Sequence, residues 1–431
     1  MRDLESIIGD EQFGELVRRS SREYLPWDEF LDMRMPARLS ATRTWAELSL
    51  LRYESGIRLP FVRRSDHEAW YSATMALTKA CYDLERVCRP DSPLARLLSS
   101  GKGSHFVTKC QVKEVIGAAR QDGIILSEER AGAVVKMGLK PYTAEERLLS
   151  NMTALMNSLD AYRNQPFSSD LMEHFLDAIA SGVSMGDLRS QPRDFSRLAE
   201  PHRRESISRS IEVDAEGLWR YANGVDVDPY EHPIMRALLV RTWVSHLYFE
   251  SPLSSLLTQL AFSLFARKND LPVLSVAPIS AQMVAWIETH TDILDYFFDG
   301  GEGRGQAGDR SPAVADLTFH AMLSVRLTEE CVSSLDKEVR ESEQEASELV
   351  SQLRSDAHLN HRQYSLINFA LRNPEAEMTI RYHQMNHKVS YATARADYMK
   401  LVEEGYFVQR QRGKAFVFAA HPNLPRIIGR G

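Results

Sequence analysis

Seven residues near the C-terminus have the side chains that meet a nucleic acid, at the spacing that meeting requires. Ser390, Tyr391, Thr393 and Arg395 fall in about two turns at the start of a predicted helix, and Arg410, Arg412 and Lys414 crowd into five residues. The first set would offer hydroxyls, a ring and a guanidinium to base edges, and the second would offer cations to phosphate. Other chemistry-bearing patterns fall short. His383 and His387 stand four apart, two imidazoles on one helix face, but no third ligand of the His-Glu-x-x-His kind lies nearby. Gly303-x-Gly305-x-x-Gly308 has dinucleotide-fingerprint spacing, which needs a strand before it and a helix start after it. The preceding Tyr296-Phe297-Phe298-Asp299 is a poor strand with no βαβ pattern around it, so 300–312 reads as a flexible surface loop. Cys81 and Cys88 are seven apart, Cys110 and Cys331 are remote, and no Cys-x-x-Cys exists. That excludes a disulfide scaffold, and neither a metal nor a cofactor is expected.

The elements around the C-terminal residues follow from caps and breakers. Asn360 caps a helix with Leu366, Phe369 and Ala370 inward, and Pro374 ends it. Thr379 caps a short second helix through Asn386. Ser390 caps a third, Tyr391 to Val402, with Ala394, Tyr398 and Leu401 on one face. Gly405 suits the left-handed position that follows. Tyr406-Phe407-Val408 and Ala415-Phe416-Val417-Phe418 read as strands about a basic hairpin tip. From His361 onward there are eleven Lys/Arg and five Asp/Glu, a formal +6, which leaves −13 for the other 360 residues. Such asymmetry points to an anionic partner for one end. The pattern is that of a winged helix-turn-helix, usable on duplex DNA or only for packing or dimerisation.

Upstream, helical periodicity dominates: Leu148, Met152, Leu155, Met156 and Leu159 recur at three- and four-residue spacing, as do Leu238, Leu239, Trp243 and Leu247. Strand signals are sparse, with a weak alternation over Ser206 to Val213 as a short hairpin arm. The expected class is mostly α. Gly101 to Ser104 and a charged helix from Asp336 to Arg354 punctuate the chain into 1–104, 105–335, 336–357 and 358–431. With 431 residues, 43% hydrophobic and 26% charged, it is long enough for two or three domains. A net charge of −7 excludes a globally basic nucleic-acid coat. The acidic start MRDLESIIGDEQFGEL lacks a signal peptide's apolar run, and Leu253 to Ala266, the best apolar stretch, is too short to span a membrane. A soluble, cytoplasmic protein is expected, with no membrane partner.

His232-Pro233-Ile234-Met235-Arg236-Ala237-Leu238 followed by Trp243, with LNHRQYSLINFALRNP, VSYATARADYMKLVEEGY and RGKAFVF, resembles bacterial Fic-domain proteins of the long form. Tyr24-Leu25-Pro26-Trp27-Asp28-Glu29, Leu50-Leu51-Arg52 and Lys140-Pro141…Glu145-Glu146…Asn151…Ala154 extend the likeness over nearly the whole chain. The resemblance implies an N-terminal helical region (1–104), a Fic-like helical core (105–335), a linker helix (336–357) and a winged helix-turn-helix (358–431). Family members use H-P-F-x-(D/E)-G-N-G-R-x-x-R to move AMP or a related group to a protein hydroxyl. The His is the base, the acid holds Mg²⁺, and the loop amides and arginines hold phosphate. Laid over this chain, the motif falls on 248–259. Tyr248 then takes the base position, Pro252 that of the metal ligand, Leu253, Ser254 and Ser255 the anion loop, and Leu256 and Gln259 those of the arginines. The glutamate of the family's inhibitory helix corresponds to Asp122.

Every position of that motif departs from the family's chemistry, so nucleotidyl transfer is not expected. The resulting expectation is a catalytically degenerate Fic-like protein that regulates transcription by binding duplex DNA. Two alternatives stand beside it. One is a pseudoenzyme working by protein contact, with an active Fic paralogue or as a homodimer. The other is an enzyme with repurposed chemistry at His246, Tyr248, Glu250 or Ser254. A pocket where these converge would favour the enzyme, and Leu253 and Leu256 filling it would oppose it.

Overall fold

The structure, a computed structural model, describes residues 10–36, 40–64, 67–100, 103–137, 140–188, 211–225, 227–229, 231–289, 315–354, 358–412 and 415–428. The glycine-rich 300–312 segment, with its Gly303, Gly305 and Gly308, lies outside the described residues, as does 206–210 of the weak alternation. Eighteen α-helices and six short strands make the chain mostly α among the described residues.

In order they are α1 (Glu11–Arg22), α2 (Trp27–Leu31), α3 (Ala41–Ser55), β1 (Ile57–Arg64), β2 (His67–Tyr71), α4 (Met75–Cys88), α5 (Pro93–Ser99), α6 (Ser104–Gln121), α7 (Glu128–Met137), α8 (Ala144–Ser158) and α9 (Ser169–Ala180). There follow β3 (Ile211–Val213), α10 (Ala215–Ala222), α11 (Pro233–Leu247), α12 (Ser254–Lys268), α13 (Ile279–Thr289) and α14 (Thr318–Arg354). Last come α15 (His361–Arg372), β4 (Met378–Thr379), α16 (Ile380–His387), α17 (Tyr391–Glu403), β5 (Phe407–Arg412), β6 (Ala415–Ala420) and α18 (Leu424–Ile428). Two compact units result, 1–92 with 110–332, and 93–109 with 333–431, so α6 and α14 each contribute to both. The charged 336–354 segment is the second half of α14, a helix of 37 residues.

The first unit is built on α12. Every residue of it from Leu256 to Ala266 is buried, with apolar groups on all sides, which marks a helix surrounded by others. It packs on α11, α8 and α9, whose Leu238, Leu239, Trp243, Leu148, Met152 and Met156 are buried. No helix among the described residues is long and apolar enough to cross a membrane. Strands are few before the C-terminus among the described residues: β1 pairs antiparallel with both β2 and β3, and β3 is the end of the Ser206 to Val213 alternation. The pairing of β1 with β2 loses its regular register between Leu59 and Arg63, around Pro60, which has no N–H to donate. Burial still alternates from Ile57 to Pro60, so the hairpin keeps an apolar face.

The second unit gathers Leu366, Ile367, Ala370, Met378, Ala394, Tyr398, Leu401, Phe407 and Phe418 into one core. The caps on α15, α16 and α17 are those the residues indicate. Asn360 forms a full capping box with Gln363, and Thr379 and Ser390 accept from Tyr382 and Thr393 amides. Gly405 turns the chain at φ +80°. The strands order as β4-β6-β5, with Arg412 opposite Ala415.

Candidate functional site

α17 is positioned by one carboxylate. Asp397 lies on the core side of the helix, between Ala394 and Leu401, and is buried. It accepts from Arg362 Nε (2.8 Å) and Nη2 (3.3 Å), from Asn360 Nδ2 (3.0 Å), and pairs with His383 Nε2 (2.9 Å). Burial alone would raise this carboxyl, but the three partners together outweigh that and hold it at about 2. One side chain thus ties α17 to the start of α15 and to α16. Stacking of Tyr398 on Phe418, centroids 4.2 Å apart, ties α17 to β6. Asp397 was not among the residues singled out from sequence; an acid on the apolar face of a helix is the signal that marks it.

With the core side fixed, the outward side of α17 is Tyr391, Ala392, Arg395, Ala396 and Met399, all exposed. Among the described residues Arg395 makes no ion pair or side-chain hydrogen bond, and neither do the exposed Arg381, Lys388 and Arg410 of the same unit. Ser390 and Thr393 serve the helix start: Ser390 Oγ accepts the Thr393 amide (3.1 Å) and lies 2.9 Å from Thr393 Oγ1. Lys414 and the Arg412 side chain lie outside the described residues, whereas Arg410 is on β5. The His383 and His387 rings are 4.8 Å apart, but His383 is committed to Asp397. Among the described residues no group of three His, Cys, Asp or Glu could hold a metal ion.

The motif positions 248–259 fall on the end of α11, a turn and the start of α12. His246 and Tyr248 do not converge. His246 is lowered by burial, opposed by a hydrogen bond with the Ile211 backbone. Tyr248 is raised by burial and bonds Ser169, while Glu250 and Pro252 are exposed. Leu253, Ser254, Leu256 and Gln259 are buried, and Gln259 donates its amide to Ser263 Oγ (3.0 Å).

Asp122, at the end of α6, reaches this turn across 132 residues. Its carboxylate accepts the Ser255 amide (3.0 and 3.1 Å), the Leu256 amide (3.3 Å) and, at 3.5 Å, the Ser254 hydroxyl. The Leu253 amide donates to Ser251 Oγ and the Ser254 amide to Ser251 O. All four amides from 253 to 256 therefore have partners within the chain, and a carboxylate sits where a helix start would receive a phosphate. Two turns earlier on α6, Glu114 does the same for α13, accepting the Ser280 amide (2.7 and 3.0 Å) and the Ala281 amide (3.4 Å). Burial pushes Glu114 up to about 6 against the opposing pull of Arg241 and Ser280. Between the two acids, Gly117 allows the approach, since a Cβ there would lie 2.4 Å from the Ala281 nitrogen.

Another buried acid, Glu231, stands just before α11. Burial raises it to about 7, opposed by hydrogen bonds from Tyr221 and Tyr71, the latter at 3.0 Å.

Against known proteins, neither a family model nor a curated entry matches this chain.

Proposed function

We propose that the chain is a DNA-binding regulator whose second unit is a winged helix-turn-helix, with α16 and α17 as the helix-turn-helix pair and β5–β6 as the wing. The observation that carries this reading is the outward face of α17, where Arg395 is exposed and uncommitted on a helix held rigidly by Asp397. Uncommitted cations at Lys388, before the helix, and Arg410, on the wing strand, add phosphate contacts. The formal +6 from His361 onward, against −13 elsewhere, supports confining contact to this unit.

We further propose that the body is Fic-like and has given up nucleotide transfer. Asp122 on the amides of Ser255 and Leu256 supports this, as does the lack of any cation at positions 252–259. The divergent partners of His246 and Tyr248 speak against a new reaction built from them.

The test is fluorescence anisotropy with duplex fragments from around the protein's own gene, at two salt concentrations. Arg395→Ala should cost about 1–3 kcal/mol on a preferred fragment and little elsewhere. Arg410→Ala should weaken binding to all fragments alike and lower the salt slope by about one. Binding that ignores both substitutions would overturn the reading and leave the unit as a packing element.

A further inference from the structure

The exposed side of α17 has a chemistry of its own. Tyr391, Arg395 and Met399 form one row at four-residue spacing, and Ala392 and Ala396 form the row beside it. Tyr391 is 57% and Met399 37% exposed. A helix face turned to water ordinarily carries charged and polar groups. Here one guanidinium stands among apolar and small side chains, and the first exposed acids, Glu403 and Glu404, come only at the far end. The two alanines leave no long side chain between the helix backbone and whatever lies against it. Lys388 stands in the turn just ahead of the helix, with φ +52°, so the cationic end is the N-terminal one.

A ligand that complements this face is anionic toward the start of α17 and presents small apolar groups to its middle. In the major groove the thymine C5-methyl is the apolar group, and guanine N7 and O6 accept a guanidinium in its neighbourhood. We propose that Ala392 and Ala396 read thymine methyl groups beside a guanine taken by Arg395, so that the preferred sites of this unit combine thymine with guanine. This rests on the DNA-binding reading above and goes beyond it by assigning two specificity residues and the base chemistry they select.

The experiment separates the two claims. Duplexes enriched by the full chain from a random pool are resynthesised with deoxyuridine in place of thymidine, which removes only the methyl groups. Affinities of both forms are then measured by anisotropy. Each methyl in contact should contribute about fourfold, so the uridine form should bind about fourfold to fifteenfold more weakly. Ala396→Ser should shrink that ratio while leaving the salt slope unchanged. Equal affinity for the two forms overturns the methyl assignment and leaves DNA binding standing. Failure of the full chain to bind any duplex overturns both. A dimer seen by sedimentation and dissociated by Met399→Glu, with DNA affinity unchanged in that variant, would give the face to a second copy and overturn the assignment as well.

Discussion

Replacing Asp397 by alanine should release α17 from the helices that hold it. The carboxylate takes two bonds from Arg362 and one each from Asn360 and His383. Its loss strands a guanidinium whose side chain is 24% exposed and an imidazole that is fully buried. Breaking a buried charged pair by removing one partner costs about 3–5 kcal/mol. Water reaches the Arg362 side, so the lower end applies, about 3 kcal/mol. Hydrogen exchange on the full chain reads this directly: amides of α17 should exchange roughly a hundredfold faster, since each 1.4 kcal/mol is about tenfold. Amides of α12, in the other unit, should keep their protection. Asp397→Asn retains one acceptor oxygen and should fall between. The pH dependence has a fixed sign. The folded carboxyl sits at about 2, below its ordinary 3.8, so its contribution is present above about pH 4 and is lost as pH falls through 2. That contribution is at most about 2 kcal/mol, and the alanine variant should lack it. Unchanged protection of α17 in Asp397→Ala, or equal loosening of α12, would refute the assignment of a positioning role.

Three further outcomes are expected. Asp122→Ala should destabilise the first unit by about 1–2 kcal/mol, seen as a melting point lower by a few degrees, because the amides of Ser255 and Leu256 lose their acceptor; a melting point at or above that of the parent chain would sink this. Glu231 is raised from 4.5 to about 7, so its folded state favours the protonated form, and stability should decline as pH rises from about 5 through 7. Glu231→Gln should flatten that decline in urea titrations at pH 5 and 8, and an unaltered pH slope would contradict it. Incubation with α-labelled ATP and Mg²⁺ or Mn²⁺ should leave no label on the chain or on lysate proteins, whereas label that vanishes in Tyr248→Phe or Glu250→Ala would restore an enzymatic reading.

Local chemistry made the second unit legible in the sequence. Asn360, Thr379, Ser390 and Gly405 each govern a turn within a few residues of themselves, so their meaning survives without the fold. The β1–β2 hairpin was hidden because Pro60 interrupts the run and arginines at 58, 63 and 64 dilute its alternation, though its apolar face is intact. Asp397 was hidden among surface charges, because its three partners come from the start of α15 and from α16, and only the folded unit brings them together. Asp122 was legible as a candidate position but not in its role, since the amides it holds lie 133 and 134 residues away.

The two units treat negative charge in opposite ways. A phosphate and a carboxylate compete for the same first amides of a helix, and a carboxylate on the chain competes without the entropy of bringing a ligand in from solution. In the first unit α6 supplies such a carboxylate twice, Asp122 to α12 and Glu114 to α13, and the glycine between them lets it come close enough to do so. Those helix starts are satisfied from within, and their neighbourhood at positions 252–259 supplies no cation. In the second unit the order is reversed. Among the described residues its one buried acid, Asp397, is consumed by internal partners, and Arg381, Lys388, Arg395 and Arg410 are exposed and make no ion pair or side-chain hydrogen bond. An anionic ligand would have to displace Asp122 at the start of α12 or Glu114 at the start of α13, whereas on the exposed side of α17 it would meet a guanidinium that makes no ion pair among the described residues. This difference favours the proposal of a DNA contact on α17 and its neighbours and makes nucleotide binding at the start of α12 unfavourable, unless α6 first withdraws Asp122.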